Sequence, residues 1–161
     1  MNQEVISGKF VKDLAELKIV GFRVVCPGEK YIEEIPKAAK VLKERTEEIK
    51  YIINSGQQIG AFVVEESSPE EEGYWIGVQV SEYKDVPEDM TTLTIPPHRY
   101  ATILHKGPND QIRSTYSELH KWIEQKGCKR AYDSWNLELY QKENEPINSN
   151  DVRVELYDSI L

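Results

Sequence analysis

"HRYATILHKGPNDQIRSTYSELHKWIEQKG", residues 98–127, begins as a strand, breaks at Gly107 and Pro108, and then changes to a helical period. Ile112, Tyr116, Leu119 and Ile123 fall on one helical face, with Asp110 placed to cap the helix and Gly127 placed to stop it. The same succession occurs earlier in the chain. "LKIVGFRVVC" (17–26) is β-branched and aromatic, and "PGEKY" interrupts it. Over 31–56, Ile35, Ala39, Leu42, Thr46, Ile49 and Ile53 then follow helical spacing, with Pro36 in the tolerated first turn and Gly56 past the end. One long amphipathic helix is expected there.

Two strand-like runs follow each helix. "QIGAFVVEE" (58–66) and "YWIGVQVSEY" (74–83) are joined by "SSPEEEG", whose Pro, Gly and charge suit a solvated hairpin tip. "KDVPEDM" reads as a turn, and "WNLELYQK" (135–142) and "VRVELYDSIL" (152–161) finish the chain. Strand, helix, strand, strand thus occurs twice within one domain spanning 1–161, in halves of about 17–83 and 91–158. The halves share a pattern and not their residues. The expected fold class is α+β: the duplicated module forms one antiparallel sheet with two helices on one face and a ligand groove on the other.

Alternation along the strands sorts side chains into two faces. Leu137, Leu139, Val152, Val154 and Leu156 form the obvious set to pack beneath the helices, as do Tyr74, Ile76, Val78 and Val80. The complementary set contains Asn136, Glu138, Tyr140, Arg153, Glu155 and Tyr157, with Trp75, Gly77 and Gln79. Glu138, Tyr140, Trp75 and Tyr157 are therefore expected on one surface.

With 161 residues and 39% hydrophobic content, one ordinary globular domain is the expectation. A net charge of −8 argues against a nucleic-acid surface, because phosphate binding needs clustered Lys and Arg. The same charge weakly favours cationic ligands, within a range of roughly 8 Å at physiological salt. Cys26 and Cys128 stand far apart and outside any CxxC pattern, as expected of reduced thiols in a cytoplasmic protein. No secretory leader is recognisable, and no apolar run approaches the roughly 20 residues that cross a bilayer. His98, His105 and His120 lack metal-ligand spacing, and P-loop, GxGxxG and GxSxG motifs are missing, so neither metal nor cofactor is expected.

The order of motifs resembles the GyrI-like, or bacterial effector-binding, domains, which include the drug-binding domains of multidrug-responsive transcription regulators. The resemblance runs through "IVGFRVVC", "IGAFVVEE", "YWIGVQV", "VPEDMTTLTIPPHRYATILHKG", "IRSTYSELHKWIEQKG" and "NLELYQ", nearly the whole chain. It implies a pseudo-twofold pair of strand-helix-strand-strand units around an aromatic pocket, in which the acid of the "LELY" strand contacts cationic or electrophilic organic molecules. By position that acid is Glu138, and the aromatic residue of the "YWIG" stretch is Trp75 or Tyr74. Only about 16 residues precede the first expected strand, too few for a two-helix DNA-binding module, so a stand-alone member is expected.

A carboxylate ringed by aromatics is costly to keep charged unless a cation or hydrogen-bond donor compensates it. Trp and Tyr faces add about 0.5–2 kcal/mol each toward a cation. The expected site therefore binds cationic or aromatic amphiphiles at Glu138, lined by Trp75, Tyr140, Tyr100, Tyr116 and Trp122. The same groups suit a hydrolase of electrophilic, cyclopropane-type xenobiotics, with Glu138 as base or nucleophile beside Tyr140. Other uses of the family imply a protein partner, a regulator or gyrase. Against these stand simpler readings: Glu138 as an outward acid paired with Arg153, and Trp75 and Trp122 as packing residues.

Overall fold

The computed structural model describes residues 8–141 and 151–161. Eight strands and two helices follow in chain order: β1 (Phe10–Leu14), β2 (Leu17–Val24), α1 (Tyr31–Glu44), β3 (Gln58–Val63), β4 (Tyr74–Gln79), β5 (Thr91–Ile95), β6 (His98–Pro108), α2 (Ile112–Gln125), β7 (Trp135–Tyr140) and β8 (Asp151–Ser159). All pair antiparallel in one sheet of order β1-β6-β8-β7-β3-β4-β2-β5. This is the expected α+β architecture. β3 and β7 pair at the centre of the sheet, with Gly60 opposite Glu138, while β5, within the expected second half, pairs with β2 of the first.

β1 and β5 are additions to the expected strands, and both are outer strands of the sheet. Their sequences, FVKDL and TTLTI, carry the polar residues that an exposed edge tolerates, which conceals them from a search for apolar runs. β1 also occupies part of the stretch expected to precede the first strand. Lys142, expected at the end of β7, lies outside the described residues.

α1 ends at Glu44, well short of the expected helix to Ile53. Thr46 bends its hydroxyl back onto the Leu42 and Lys43 carbonyls, at 2.9 and 3.1 Å, satisfying groups that a further turn would have used. Ile49 is then buried from an extended backbone, and Tyr51, Asn54 and Ser55 have positive φ, which no helix continues through. Pro36 lies inside the helix, beyond its first turn. α2 starts after a short 3-10 turn with Gln111 as its cap residue, so Asp110 does not cap it, whereas Gly127 follows its end at φ +77° as expected.

Both faces of the sheet are buried. α1 packs through Ile35, Ala38, Ala39 and Leu42 against Val20, Tyr74, Ile76 and Val78, and α2 packs through Leu119 and Ile123 against Ala101, Ile103, Val154 and Leu156. Tyr140 touches both clusters, which joins them on the helix side. The other face holds Ile19, Ile59, Ala61, Trp75, Ile95, Tyr100, Leu137 and Tyr157. No helix of the described residues is long and apolar enough to cross a membrane.

Candidate functional site

Register decides which way Glu138 points. Its cross-strand neighbours are Gly60 and Leu156, whereas Leu137 pairs with Ala61 and Tyr157. Glu138 and Tyr140 therefore face the helices, and Leu137 and Leu139 face the opposite cluster. The expectation for this strand is inverted. Period two tells which residues share a face, but here both faces are apolar, so the leucines have a core to enter on the side away from the helices.

The Glu138 carboxylate is 8% exposed and lies among three phenols. Tyr74 donates to Oε1 at 2.6 Å, Tyr116 donates to Oε2 at 2.7 Å, and Tyr140 approaches Oε1 at 3.2 Å. The Tyr74 and Tyr140 oxygens are 2.7 Å apart, and since the Tyr74 proton goes to Glu138, the Tyr140 hydroxyl is the donor of that bond. These donors come from β4, α2 and β7, so the cage forms only when both halves are docked.

Tyr74 reaches the acid across β3. Its ring stacks on Phe62, with centroids 6.0 Å apart, and passes over Gly60. A Cβ at Gly60 would overlap the Tyr74 hydroxyl and ring carbons, so the missing side chain is what opens the path.

Burying a carboxylate costs several kcal/mol, and hydrogen bonds to a charged group return about 1.5–3 kcal/mol each. Two close donors, with the Tyr140 hydroxyl behind them, therefore offset the burial without a cation. Burial first, then the Glu138 charge, pushes the Tyr74, Tyr116 and Tyr140 phenols well above their ordinary range. All three stay neutral at physiological pH. They serve as proton donors and not as bases.

Of the six expected lining residues, the structure brings together Glu138, Tyr140 and Tyr116. Trp75 and Tyr100 lie on the opposite face, where Trp75 packs edge-on against Trp135 at 5.0 Å beneath the Arg23 guanidinium at 4.7 Å. Tyr157 lies there too, so it and Trp75 do not share a surface with Glu138 and Tyr140. Trp122 is half-buried against the Leu119 and Ile123 cluster, with Lys126 over its ring at 5.7 Å. Arg153 pairs with Lys106 and alternates onto the face away from Glu138, so a cross-strand ion pair is not how Glu138 is held. Gly60 escaped the sequence reading, and Tyr74 entered it only as an alternative to Trp75; the signal was the β3–β7 register, which no single strand reveals.

Among the described residues, no three His, Cys, Asp or Glu side chains gather as a metal site. His105 is held by Thr115 at 2.6 Å and the Pro108 carbonyl at 3.0 Å. Two open grooves, of about 390 and 400 Å³, lie beside α1 and α2 near Cys26 and Lys106, and neither contains Glu138.

Solved structures share this fold. The EcmrR C-terminal domain superposes with a TM-score of 0.71 at 18% identity, covering 95% of this chain and 96% of that one. SAV2435 bound to tetraphenylphosphonium gives 0.70 at 17% identity, covering 95% and 93%. A hydrolase encoded by lin2189 from Listeria innocua gives 0.58 at 12% identity, covering 96% and 92%. At these identities the likeness is one of fold. No curated protein matches the chain in sequence. The sequence itself matches a family profile over residues 10–159, from the first residue of β1 to the last of β8, and on that match the chain belongs to the GyrI-like small molecule binding domain family.

Proposed function

We propose that this domain captures cationic or aromatic amphiphilic molecules, with Glu138 as the anionic centre and Tyr74, Tyr116 and Tyr140 as its aromatic walls. The observation that carries the reading is a buried carboxylate held by neutral donors only. An arriving cation meets the Glu138 carboxylate in a medium where Coulomb attraction is several-fold stronger than in water. The phenol faces add cation–π attraction, and their hydroxyls turn aside to admit the ligand. The shared fold of SAV2435, which holds a lipophilic cation, supports this reading. Its setting is the cytoplasm, in drug response or transcription regulation, with a separate regulator or gyrase as protein partner.

Titration with tetraphenylphosphonium, with tetraphenylborate as the isosteric anion, tests the assignment. The wild type should prefer the cation, and Glu138→Gln should lower cation affinity by about 10- to 100-fold, the range of a hydrogen-bonded charge lost from a buried site. Equal affinity in the two proteins overturns the role of Glu138.

A second reading is favoured by the phenol donors on the acid and by the fold shared with the Listeria innocua hydrolase. Glu138 takes a proton from water as the water oxygen attacks the strained carbon of a cyclopropane-bearing electrophile. The C–C bond breaks, the Tyr140 hydroxyl gives its proton to the carbon that leaves, and the proton on Glu138 passes to Tyr140, 3.2 Å away, which restores both groups. Mass spectrometry of the ring-opened, hydrated product decides this: formation above the buffer rate, abolished in Glu138→Gln, supports catalysis, and formation at the buffer rate excludes it.

A further inference from the structure

α2 meets the sheet through Thr115 on His105, Tyr116 on Glu138 and His120 beside Asp158, and only the second of these is the cage. Tyr116 and His120, four residues apart on one helical face with ring centroids 5.9 Å apart, both point at the sheet. Tyr116 ends on Glu138, and His120 Nε2 lies 3.0 Å from Asp158 Oδ2. Asp158 is 1% exposed and is tied to β7 by Asn136, whose Nδ2 donates to Oδ1 at 2.8 Å. Arg130 Nε stands 2.8 Å from Oδ2. His120 Nε2 and Arg130 Nε both stand within ion-contact distance of Oδ2, and Arg130 Nη2 donates to Oδ1 at 3.4 Å.

The spacings of the two elements agree. Four helical residues rise about 6 Å, and two strand residues advance about 6.6 Å. Tyr116 and His120 on α2 therefore stand in step with Glu138 and Asn136 on β7. Thr115 of α2 bonds to His105 of β6 at 2.6 Å and Glu118 pairs with Lys9 at 2.7 Å, whereas the contacts through Leu119 and Ile123 are apolar. Apolar contact holds a helix onto a sheet but is non-directional, and leaves sliding and rotation free.

We propose that His120 is a positioning residue for the Glu138 cage: together with Thr115 on His105, its contact with Asp158 fixes the slide and rotation of α2 so that the Tyr116 hydroxyl stays on the carboxylate. The inference rests on the reading of Glu138 as the binding centre. The Asp158 charge also contributes, behind burial and Glu138, to keeping the Tyr116 phenol protonated, which places Asp158 within electrostatic reach of the cage.

The test needs no ligand in its first arm. In protein carrying ¹³Cζ-tyrosine, the Tyr116 resonance is the one lost in Tyr116→Phe. It should shift in His120→Leu and return toward its wild-type position in His120→Gln, which keeps a polar nitrogen of similar reach beside Asp158. A Tyr116 resonance unmoved in His120→Leu overturns the proposal. His120 is partly exposed, and should His120→Leu fail to fold, His120→Asn, too short to reach Asp158, takes its place. In the second arm, His120→Leu should weaken tetraphenylphosphonium binding by about tenfold, and by less than about twofold in the Tyr116→Phe background, because residues acting through one contact are non-additive. Equal losses in both backgrounds also overturn it. If the resonance moves as expected while the wild type binds no cation, the positioning stands and the binding function falls.

Discussion

The Tyr74 hydroxyl donates to Glu138 at 2.6 Å although β3 lies between their strands, and Gly60 is the residue it crosses. In Gly60→Ala the methyl group would occupy the place of the hydroxyl, between two strands that leave little room to part. The Tyr74 ring must therefore leave the acid. Loss of stability by about 1–3 kcal/mol, typical of overpacking, is expected in urea denaturation. Cation affinity should fall in parallel with Tyr74→Phe, and if Gly60→Ala binds cations like wild type, the ring does not need its path over the glycine.

The three phenols are not equivalent. Tyr116 is the donor on Oε2, whereas Oε1 is shared by Tyr74 at 2.6 Å and Tyr140 at 3.2 Å. Tyr116→Phe leaves one carboxylate oxygen without that donor, which costs about 1.5–3 kcal/mol for a charged acceptor. Tyr140→Phe leaves Tyr74 in place and should cost less, about 1 kcal/mol or below. Denaturation midpoints of the two variants check this order, and the reverse order would show that Tyr140 and not Tyr116 carries the carboxylate.

The repeat of strand, helix, strand, strand was legible because Pro27 and Pro108 each end a strand and begin the approach to an amphipathic helix. The acid was legible because Glu138 interrupts an apolar run. Its direction was not. Alternation separates Leu137 from Glu138, but a sheet buried on both sides offers leucine two cores, and only pairing with Gly60 and Leu156 chooses between them. Gly60 illustrates the same limit: its importance lies in a tyrosine 14 residues away in sequence that arrives from the next strand. The extra edge strands escaped for a different reason, since β1 and β5 are five residues long and half polar, with too few apolar residues to stand out.

Trp75 separates the two faces experimentally. It lies with Trp135, Tyr157 and Leu137 on the side of the sheet away from Glu138. Trp75→Phe shrinks a well-packed residue and gives up an edge-on Trp pair worth about 0.5–1.5 kcal/mol beyond its area, so stability should fall. Affinity for tetraphenylphosphonium should stay within about twofold of wild type, because changes at sites without shared partners add independently. A drop of tenfold or more in a folded Trp75→Phe protein would place the ligand on the second face instead.

High pH should act on the buried phenols before anything else. Tyr74, Tyr116 and Tyr140 are raised well above their ordinary value of 10.0, and Tyr100 and Tyr157 are pushed up to about 12, with burial the largest cause in each. In the unfolded chain these phenols lose their protons near pH 10, while the folded protein still holds them, so above that pH the folded state binds more protons than the unfolded one. Stability is then lost as pH rises, by up to about 1.4 kcal/mol per pH unit for each such tyrosine. Below about pH 9 the contribution is fully present and flat with pH. Urea denaturation from pH 8 to 11 should show this break, and absorbance at 295 nm should show the buried phenols ionising only with unfolding. In Tyr116→Phe the slope above pH 10 should lessen by about one tyrosine's share. An unchanged slope in that variant would mean that the Tyr116 phenol ionises in the folded protein as it does in water.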